Sequence, residues 1–326
     1  MKFAVAALIA TAASASSDAI TRSFLKYLAN HGKSYLTMEE FEARKDLFTY
    51  AENFINNHNS HNTSYSLGHN KFSDMSYEEK AAYRGRVDDP KKRTFGATKT
   101  ILSTDSLPDS IDWRDLGAVN PIRDQGQCGS CWAFSSVASM EGVHATVSGN
   151  LMQFAEQQLV DCAFLPYGNL GCGGGLEQNA FTYYKDHAAI ARDVYRSYSA
   201  SRGTCMDGQV EDTGVYAASY TDVTSGSQAQ VKAAVASHPI SVAIEADKFV
   251  FQMYSSGIFN EESCGTNLDH AVALVGYGSE NGQDYYILRN SWGTTWGEDG
   301  YMKIATNGDG DGICGVQNSP TYPNTN

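Results

Sequence analysis

The stretch GQCGSCWAF, residues 126–134, sets Cys128 and Cys131 three positions apart and follows the second with a tryptophan. Three chemistries use that spacing, and each implies a different fold. A zinc site needs a second Cys or His pair at ligand spacing, yet Cys162, Cys172, Cys205, Cys264 and Cys314 are scattered singly. A thioredoxin-type redox pair belongs to a smaller βαβ unit and would leave five other cysteines, still an odd number. In the third reading Cys131 is a nucleophile and Cys128 is bonded elsewhere. The apolar run from Ser130 to Val147, stopped by Gly149 and Asn150, predicts a long helix. Cys131 then falls at a helix start, where free N–H groups and the macrodipole favour a thiolate.

A thiolate that attacks a carbonyl carbon needs a proton carrier for the leaving amine. Four histidines lie beyond residue 106. His144 is on the same predicted helix as Cys131 and more than three turns away. His187 reads as a helix-end residue, and His238 precedes Pro239 in a turn. His270 stands in NLDHAVALVGYG (267–278), at the start of a buried strand where an unpartnered imidazole would be costly. Taken singly, each is more often structural than catalytic. For His270, strand alternation turns Asp269 to the opposite face. The stretch ILRNSWGTTWGEDGY (287–301) supplies Asn290 on the adjacent hairpin strand, with Trp292 and Trp296 nearby. An amide oxygen can hold an imidazole tautomer without adding charge, and an indole can shield that bond from water. The bland alternative is a glycine- and tryptophan-rich turn.

The rest of the chain is organised around this pattern. With 326 residues and 42% apolar composition, it can build two or three domain-sized pieces. Residues 1–15 read as a secretory signal: an early Lys2, a short apolar run, and Ala13 and Ala15 at an A-x-A site. That places the seven cysteines in an oxidising compartment, where an odd count leaves one thiol over. Residues from about 17 to 65 read as helix, and Asn62-Thr63-Ser64 is a glycosylation sequon. From Asp88 to Ser106 the composition is that of an exposed linker. Residues 107–326 carry ten Lys and Arg against 25 Asp and Glu, a net of −15, leaving +2 for residues 1–106. So acidic a body argues against nucleic acid and anionic membranes as partners. Strands are predicted at ISVAIEA, AVALVGYG, DYYILRN and YMKIAT, with a hairpin turn at Asn281-Gly282. Helices first and antiparallel strands later imply an α+β fold in two lobes with a cleft between them. NGDGDGICG (307–315) begins like a calcium loop, but its twelfth position is Asn318, and it reads as an acidic surface loop.

The segments QGQCGSCWAF, LDHAVALVGYG and RNSWG together resemble the papain family of cysteine proteases, in its cathepsin L-like branch. The resemblance covers nearly the whole chain and implies a papain-like two-lobed fold: a helical lobe, a β-barrel-like lobe and an active-site cleft. It implies Cys131 as nucleophile, His270 as general acid and base, Asn290 as the residue orienting it, and Gln125 as an oxyanion donor with the Cys131 N–H. It pairs Cys128 with Cys172, Cys162 with Cys205 and Cys264 with Cys314; such bridges commonly contribute about 2 to 4 kcal/mol each. Gly174 and Gly175 fall where the family bonds a substrate backbone. Leu176, Ala243, Leu268 and Ser319 fall on the pocket for the side chain two residues before the cut (P2), favouring apolar guests. Glu177 stands on the pocket wall where this branch is usually apolar, which suggests tolerance of polar or basic groups.

Residues 16–106 resemble the family's inhibitory propeptide. Glu40, Arg44, Phe48, Ile55 and Asn59 match a helical motif in which Ala51 replaces an expected Asn, and Gly68, Asn70, Phe72 and Asp74 match a second motif. The resemblance implies a zymogen whose mature peptidase, residues 107–326, begins near Leu107 and is released by acid as prosegment carboxylates protonate. It implies a cysteine endopeptidase, active as a monomer without metal or cofactor, with protein and peptide substrates. Its own propeptide and cystatin-type inhibitors are the expected inhibitory partners, and the expected location is the secretory pathway, in a lysosome or acidic vacuole or outside the cell. Two alternatives stand beside it. An exopeptidase would block one end of the cleft with a loop, which could lie at 196–214, and a non-catalytic binding protein would be expected to lose Cys131, His270 or Gln125.

Overall fold

The computed structural model describes residues 18–61, 63–87, 97, 98 and 100–326. The expected signal at 1–15, the sequon asparagine Asn62 and most of the 88–99 part of the linker lie outside the described residues.

The helical front segment is two helices instead of one run. Helix α1 (18–31) ends where Gly32 takes a left-handed φ of +60°, open to glycine without penalty. Helix α2 (Met38–Asn59) begins after Thr37, whose hydroxyl accepts from the Glu40 N–H at 3.1 Å. Phe24, Tyr27 and Leu28 of α1 close a small core against Phe48 of α2. The chain then adds strand β1 (Tyr65–Leu67) and helix α3 (Tyr77–Ala81), the latter opened by a Ser76/Glu79 capping box. Beyond it come β2 (Ala97–Thr98) and β3 (Ile111–Asp112).

Helix α4 (Cys131–Ser148) follows the predicted span closely. Every residue from Cys131 to Val143 is buried, as expected for a helix apolar on all sides, and Gly149 ends it in the left-handed region. Helices α5 (Glu156–Cys162) and α6 (Glu177–Asp186) flank it and share a core built on Trp132, Val137, Met140, Leu159 and Tyr184.

The second half supplies β4 (Ala217–Asp222), α7 (Gln228–Ser237), β5 (Ile240–Ile244), β6 (Tyr254–Phe259), β7 (His270–Glu280), β8 (Gln283–Arg289), β9 (Tyr301–Ala305) and β10 (Thr321–Thr325). Among the described residues the strand order is β1-β6-β9-β8-β7-β5-β10-β4-β2, with β3 paired to β7. The β7/β8 hairpin turns at Asn281 and Gly282, both at positive φ, as a two-residue hairpin requires. Its inner face joins a second core with Val242, Leu274, Leu288, Trp292 and Trp296. Helix α4 packs against β5, β7 and β10, so Cys131 begins the element that joins the two lobes.

The prosegment belongs to this architecture. Ala51, Ile55, Leu67, Phe72 and Met75 are part of the β-lobe core, and β1 extends the sheet by pairing antiparallel with β6. The strands β1 and β2 depart from the helical prosegment implied above. Disulfides join Cys128 to Cys172, Cys162 to Cys205 and Cys264 to Cys314, and Cys131 is the free cysteine.

Candidate active site

Cys131 is fixed from both sides. The Cys128–Cys172 bond ties the loop before it to the glycine segment 171–175, and the Ser130 N–H donates to the Cys128 carbonyl at 2.7 Å. Its sulfur faces backbone N–H groups of Ala271, next to His270, and of Gly85 in the prosegment. The thiol is wholly buried, and burial pushes its pKa up to about 12, with the charges of Glu177 and Asp269 adding to the rise. The helix start alone favours a thiolate; under the prosegment, exclusion of water outweighs it.

His270 opens β7 opposite Ile244 of β5, which sets its backbone in the sheet. Its Nε2 donates to Asn290 Oδ1 at 2.9 Å. That same oxygen accepts the Ser291 N–H at 2.8 Å, so the amide acts as acceptor and Nε2 carries the proton. The Trp292 ring stacks on the imidazole, centroids 4.6 Å apart, and shields the bond. The ring's other nitrogen, Nδ1, is buried and makes no hydrogen bond. Asn290 Nδ2 beside it is likewise buried without a hydrogen bond, so Nδ1 remains open to a reaction partner. Burial lowers the His270 pKa to about 3, and Arg84 of the prosegment adds to the fall. Under cover, burial therefore works against charge on either member of the pair. Asp269 turns away, as alternation predicts: its Oδ1 accepts from Ala246 N–H at 2.8 Å and its Oδ2 pairs with Arg84 Nε at 2.8 Å.

Gln125 is held by a residue the sequence did not single out. Its Oε1 accepts the Ser291 hydroxyl at 2.6 Å, which turns Nε2 outward to donate to Cys128 O at 2.8 Å and Tyr83 O at 3.0 Å. Trp292 Nε1 also donates to the Tyr83 carbonyl, at 3.3 Å. A prosegment carbonyl thus occupies one of the two donors assigned to an oxyanion, the Gln125 amide. Ser291 lay within the RNSWG stretch, but a serine after Asn290 carries no signal until the loop at 125 is folded beside it.

Residues 83–87 continue across the cleft. Gly175 N–H donates to Gly85 O at 2.8 Å, Val87 N–H to Gly175 O at 3.2 Å, and Arg86 N–H to Asp269 O at 3.0 Å. Gly85 lies so near Gly129 that a Cβ would overlap the Gly129 carbonyl, and a Cβ on Gly174 would meet Gly85 O at 2.6 Å. Close main-chain approach is what both glycines permit. The Arg86 side chain is buried with Glu177, Nε to Oε1 3.3 Å, and its Nη2 donates to Ser319 Oγ at 2.9 Å. Leu176 and Ala243 are buried and Leu268 is half-buried beside Gly315. Arg84 and Arg86, in YRGRV just before the linker, were not read as functional from the sequence.

The prosegment is braced by its own polar groups. Buried Asp74 takes hydrogen bonds from Tyr27 (2.9 Å), Tyr35 and Lys33. Arg44 is only 3.7 Å from Glu40 but makes a two-pronged contact with Glu79, 2.7 Å at its longer arm. The carboxyl of Glu79 is held below its ordinary value chiefly by that guanidinium. The segment 196–214 is bound to α5 through the 162–205 disulfide, through Arg196 on Asp161 and through Gln157 on Ser201 O at 2.8 Å. Among the described residues, the one group of side chains spaced to hold a metal is Cys162, Cys205 and Asp207, and its cysteines are bonded to each other.

A family model described as papain family cysteine protease matches residues 107–324, and one described as cathepsin propeptide inhibitor domain (I29) matches residues 24–79. The chain is 42% identical over 323 residues to the probable cysteine protease RD21B of Arabidopsis thaliana, covering 97% of this chain and 69% of that protein. It is 44% identical over 305 residues to the cysteine proteinase RD21A of the same plant, covering 91% and 65%. The solved structure of digestive procathepsin L 3 of Tenebrio molitor larval midgut matches with a TM-score of 0.83 at 36% identity, over 93% of this chain and 98% of that one.

Proposed function

Since the chain belongs to the papain family of cysteine proteases and carries a cathepsin propeptide inhibitor domain, we propose specific roles for its residues in peptide hydrolysis. Once the prosegment leaves, the Cys131 thiol passes its proton to His270 Nδ1, and the thiolate attacks the scissile carbonyl carbon. Gln125 Nε2 and the Cys131 N–H stabilise the oxyanion that forms. His270 then gives its proton to the leaving amine, and the acyl-enzyme remains. Water, deprotonated by His270, attacks that thioester; the acid product and the thiol are released. Asn290 holds the Nε2–H tautomer throughout. The observation that carries this reading is the His270–Asn290 bond beneath Trp292, with Nδ1 unengaged and the sole free thiol facing the Ala271 N–H one residue on.

We assign the inhibitor to residues 16–106 and the peptidase to residues 107–326, acting as a monomeric endopeptidase in an acidic compartment of the secretory pathway. Its cleft is the surface that cystatin-type inhibitors would cover. The anchoring of 196–214 onto α5 supports endopeptidase over exopeptidase action. Leu176, Ala243 and Leu268 support acceptance of apolar P2 side chains.

Titration with an epoxide thiol inhibitor tests the assignment. Acid-processed enzyme is expected to take up one equivalent at Cys131 and to lose peptide hydrolysis in proportion. Hydrolysis that survives full labelling, or that persists in Cys131→Ala, would overturn it.

A further inference from the structure

The prosegment seats one basic side chain where a substrate side chain belongs. Arg86 is held by its backbone: Gly85 O and Val87 N–H bond Gly175 on either side of it, and its own N–H bonds Asp269 O. From that position its guanidinium reaches Glu177 and Ser319, both buried. Glu177 lies in the first turn of α6, two residues beyond Gly175.

We propose that the processed enzyme accepts arginine, besides apolar residues, at the position two before the bond it cuts, and that Glu177 selects it. The inference rests on the peptidase reading above. A guest that fills the pocket expels water from it. A leucine would then press hydrocarbon against a carboxylate, which costs free energy, whereas a guanidinium compensates its charge, as the Arg86–Glu177 ion pair does. The walls assigned to Leu176, Ala243 and Leu268 suit the aliphatic stem of such a guest. The planar fork of arginine can address Glu177 and Ser319 together, as Arg86 does; a lysine ammonium is a single point charge on a shorter reach. Arginine should therefore exceed lysine.

The test compares blocked dipeptide aminocoumarins with arginine beside the cut and Arg, Lys, Leu or Phe before it, on acid-processed enzyme whose active sites are counted by epoxide titration. Wild type is expected to cleave the Arg substrate with a kcat/KM within about tenfold of the Leu substrate, with Lys below Arg. Glu177→Gln should lower the Arg-to-Leu ratio by about 30-fold or more. A wild-type ratio below about one in a thousand, or a ratio unchanged in Glu177→Gln, overturns the inference. If that variant yields no titratable enzyme, Ser319→Ala is expected to lower the same ratio severalfold, and an unchanged ratio there overturns it equally. Failure of fully titrated wild-type enzyme to cleave any of the four would instead strike the peptidase reading itself.

Discussion

Residues 51–75 of the prosegment share the hydrophobic core of the β lobe, whereas residues 83–87 meet the cleft through main-chain hydrogen bonds and two arginines. The first region buries aromatic and aliphatic side chains and adds a strand to the sheet. The second adds the buried Tyr83 ring to that core, while its main chain lies over the thiol, the imidazole and the Gln125 amide. Holding on and blocking are therefore carried by different stretches of one segment. A fault in the anchor should free the whole prosegment, while a fault in the plug should open the catalytic centre with the anchor still docked.

The largest effect expected is in the anchor. Phe72 is buried edge-on against Trp292 and Tyr83, with centroids 4.9 and 5.0 Å away. Phe72→Ala should remove about 3 to 5 kcal/mol of packing. Epoxide labelling of Cys131 in the uncleaved chain at neutral pH should then accelerate by about a hundredfold or more, and the melting temperature of the zymogen should fall. Labelling at the wild-type rate would show that the anchor is not what holds the cover in place.

Gln125→Ala falls on both sides of the plug, since its amide meets Tyr83 O in the zymogen and is assigned to the oxyanion in the enzyme. In processed enzyme kcat should drop by about a hundredfold or somewhat more, with KM changing far less. Equal losses in both constants would point to a binding role instead.

Gly85→Val isolates the plug. Overpacking against the Gly129 backbone should cost about 1 to 3 kcal/mol locally, raising the labelling rate of Cys131 by about tenfold. The β-lobe core is untouched, so the melting temperature should stay near wild type, in contrast to Phe72→Ala.

The smallest effect concerns pH. Glu79 is held below its ordinary 4.5 by Arg44, so the stability it lends the prosegment is complete above that value and is lost as pH falls through the lowered one. Glu79 is half-buried, with solvent still reaching the pair, which is worth about 0.5 to 1 kcal/mol. Glu79→Gln should process about threefold faster than wild type above pH 4.5, with the two rates converging at lower pH. Asp269, pushed up to about 6 by burial, has the opposite sign: its contribution is full below the ordinary 3.8 and fades as pH rises through 6. The prosegment's Arg84 pulls that value down, so the raised value belongs to the folding of the lobe, and acid-triggered opening is assigned to carboxylates of the Glu79 kind. Faster wild-type processing on passing down through pH 6 alone would contradict this assignment.

Legibility followed the range of the interactions. The span of α4, the Asn281-Gly282 turn and the His270–Asn290 pairing across one hairpin could all be read, because apolar period, turn chemistry and alternation are local. The break between α1 and α2 was also written locally, in Gly32 and the Thr37-to-Glu40 cap, but a continuous apolar pattern hid it. Strand β1 has three residues, too few to show a period, and exists because β6 offers an edge to pair with. Arg44 invited a pairing with Glu40 four residues before it, yet its tighter partner is Glu79, thirty-five residues away.

The amino-acid sequence by itself determined the set proposed to react: a cysteine at a helix start, a histidine at a strand start, an asparagine on the neighbouring strand, and a front segment with a composition of its own. Those choices need only hydrogen-bond patterns that repeat over a few residues. Tertiary structure alone decided the state of that set, because it set Tyr83 on Gln125, Ser291 behind it and Arg86 on Glu177 and Ser319, across separations of 42 to 233 residues. Burial created by those long-range contacts, and not any local propensity, works against charge on Cys131 and His270 in the covered enzyme.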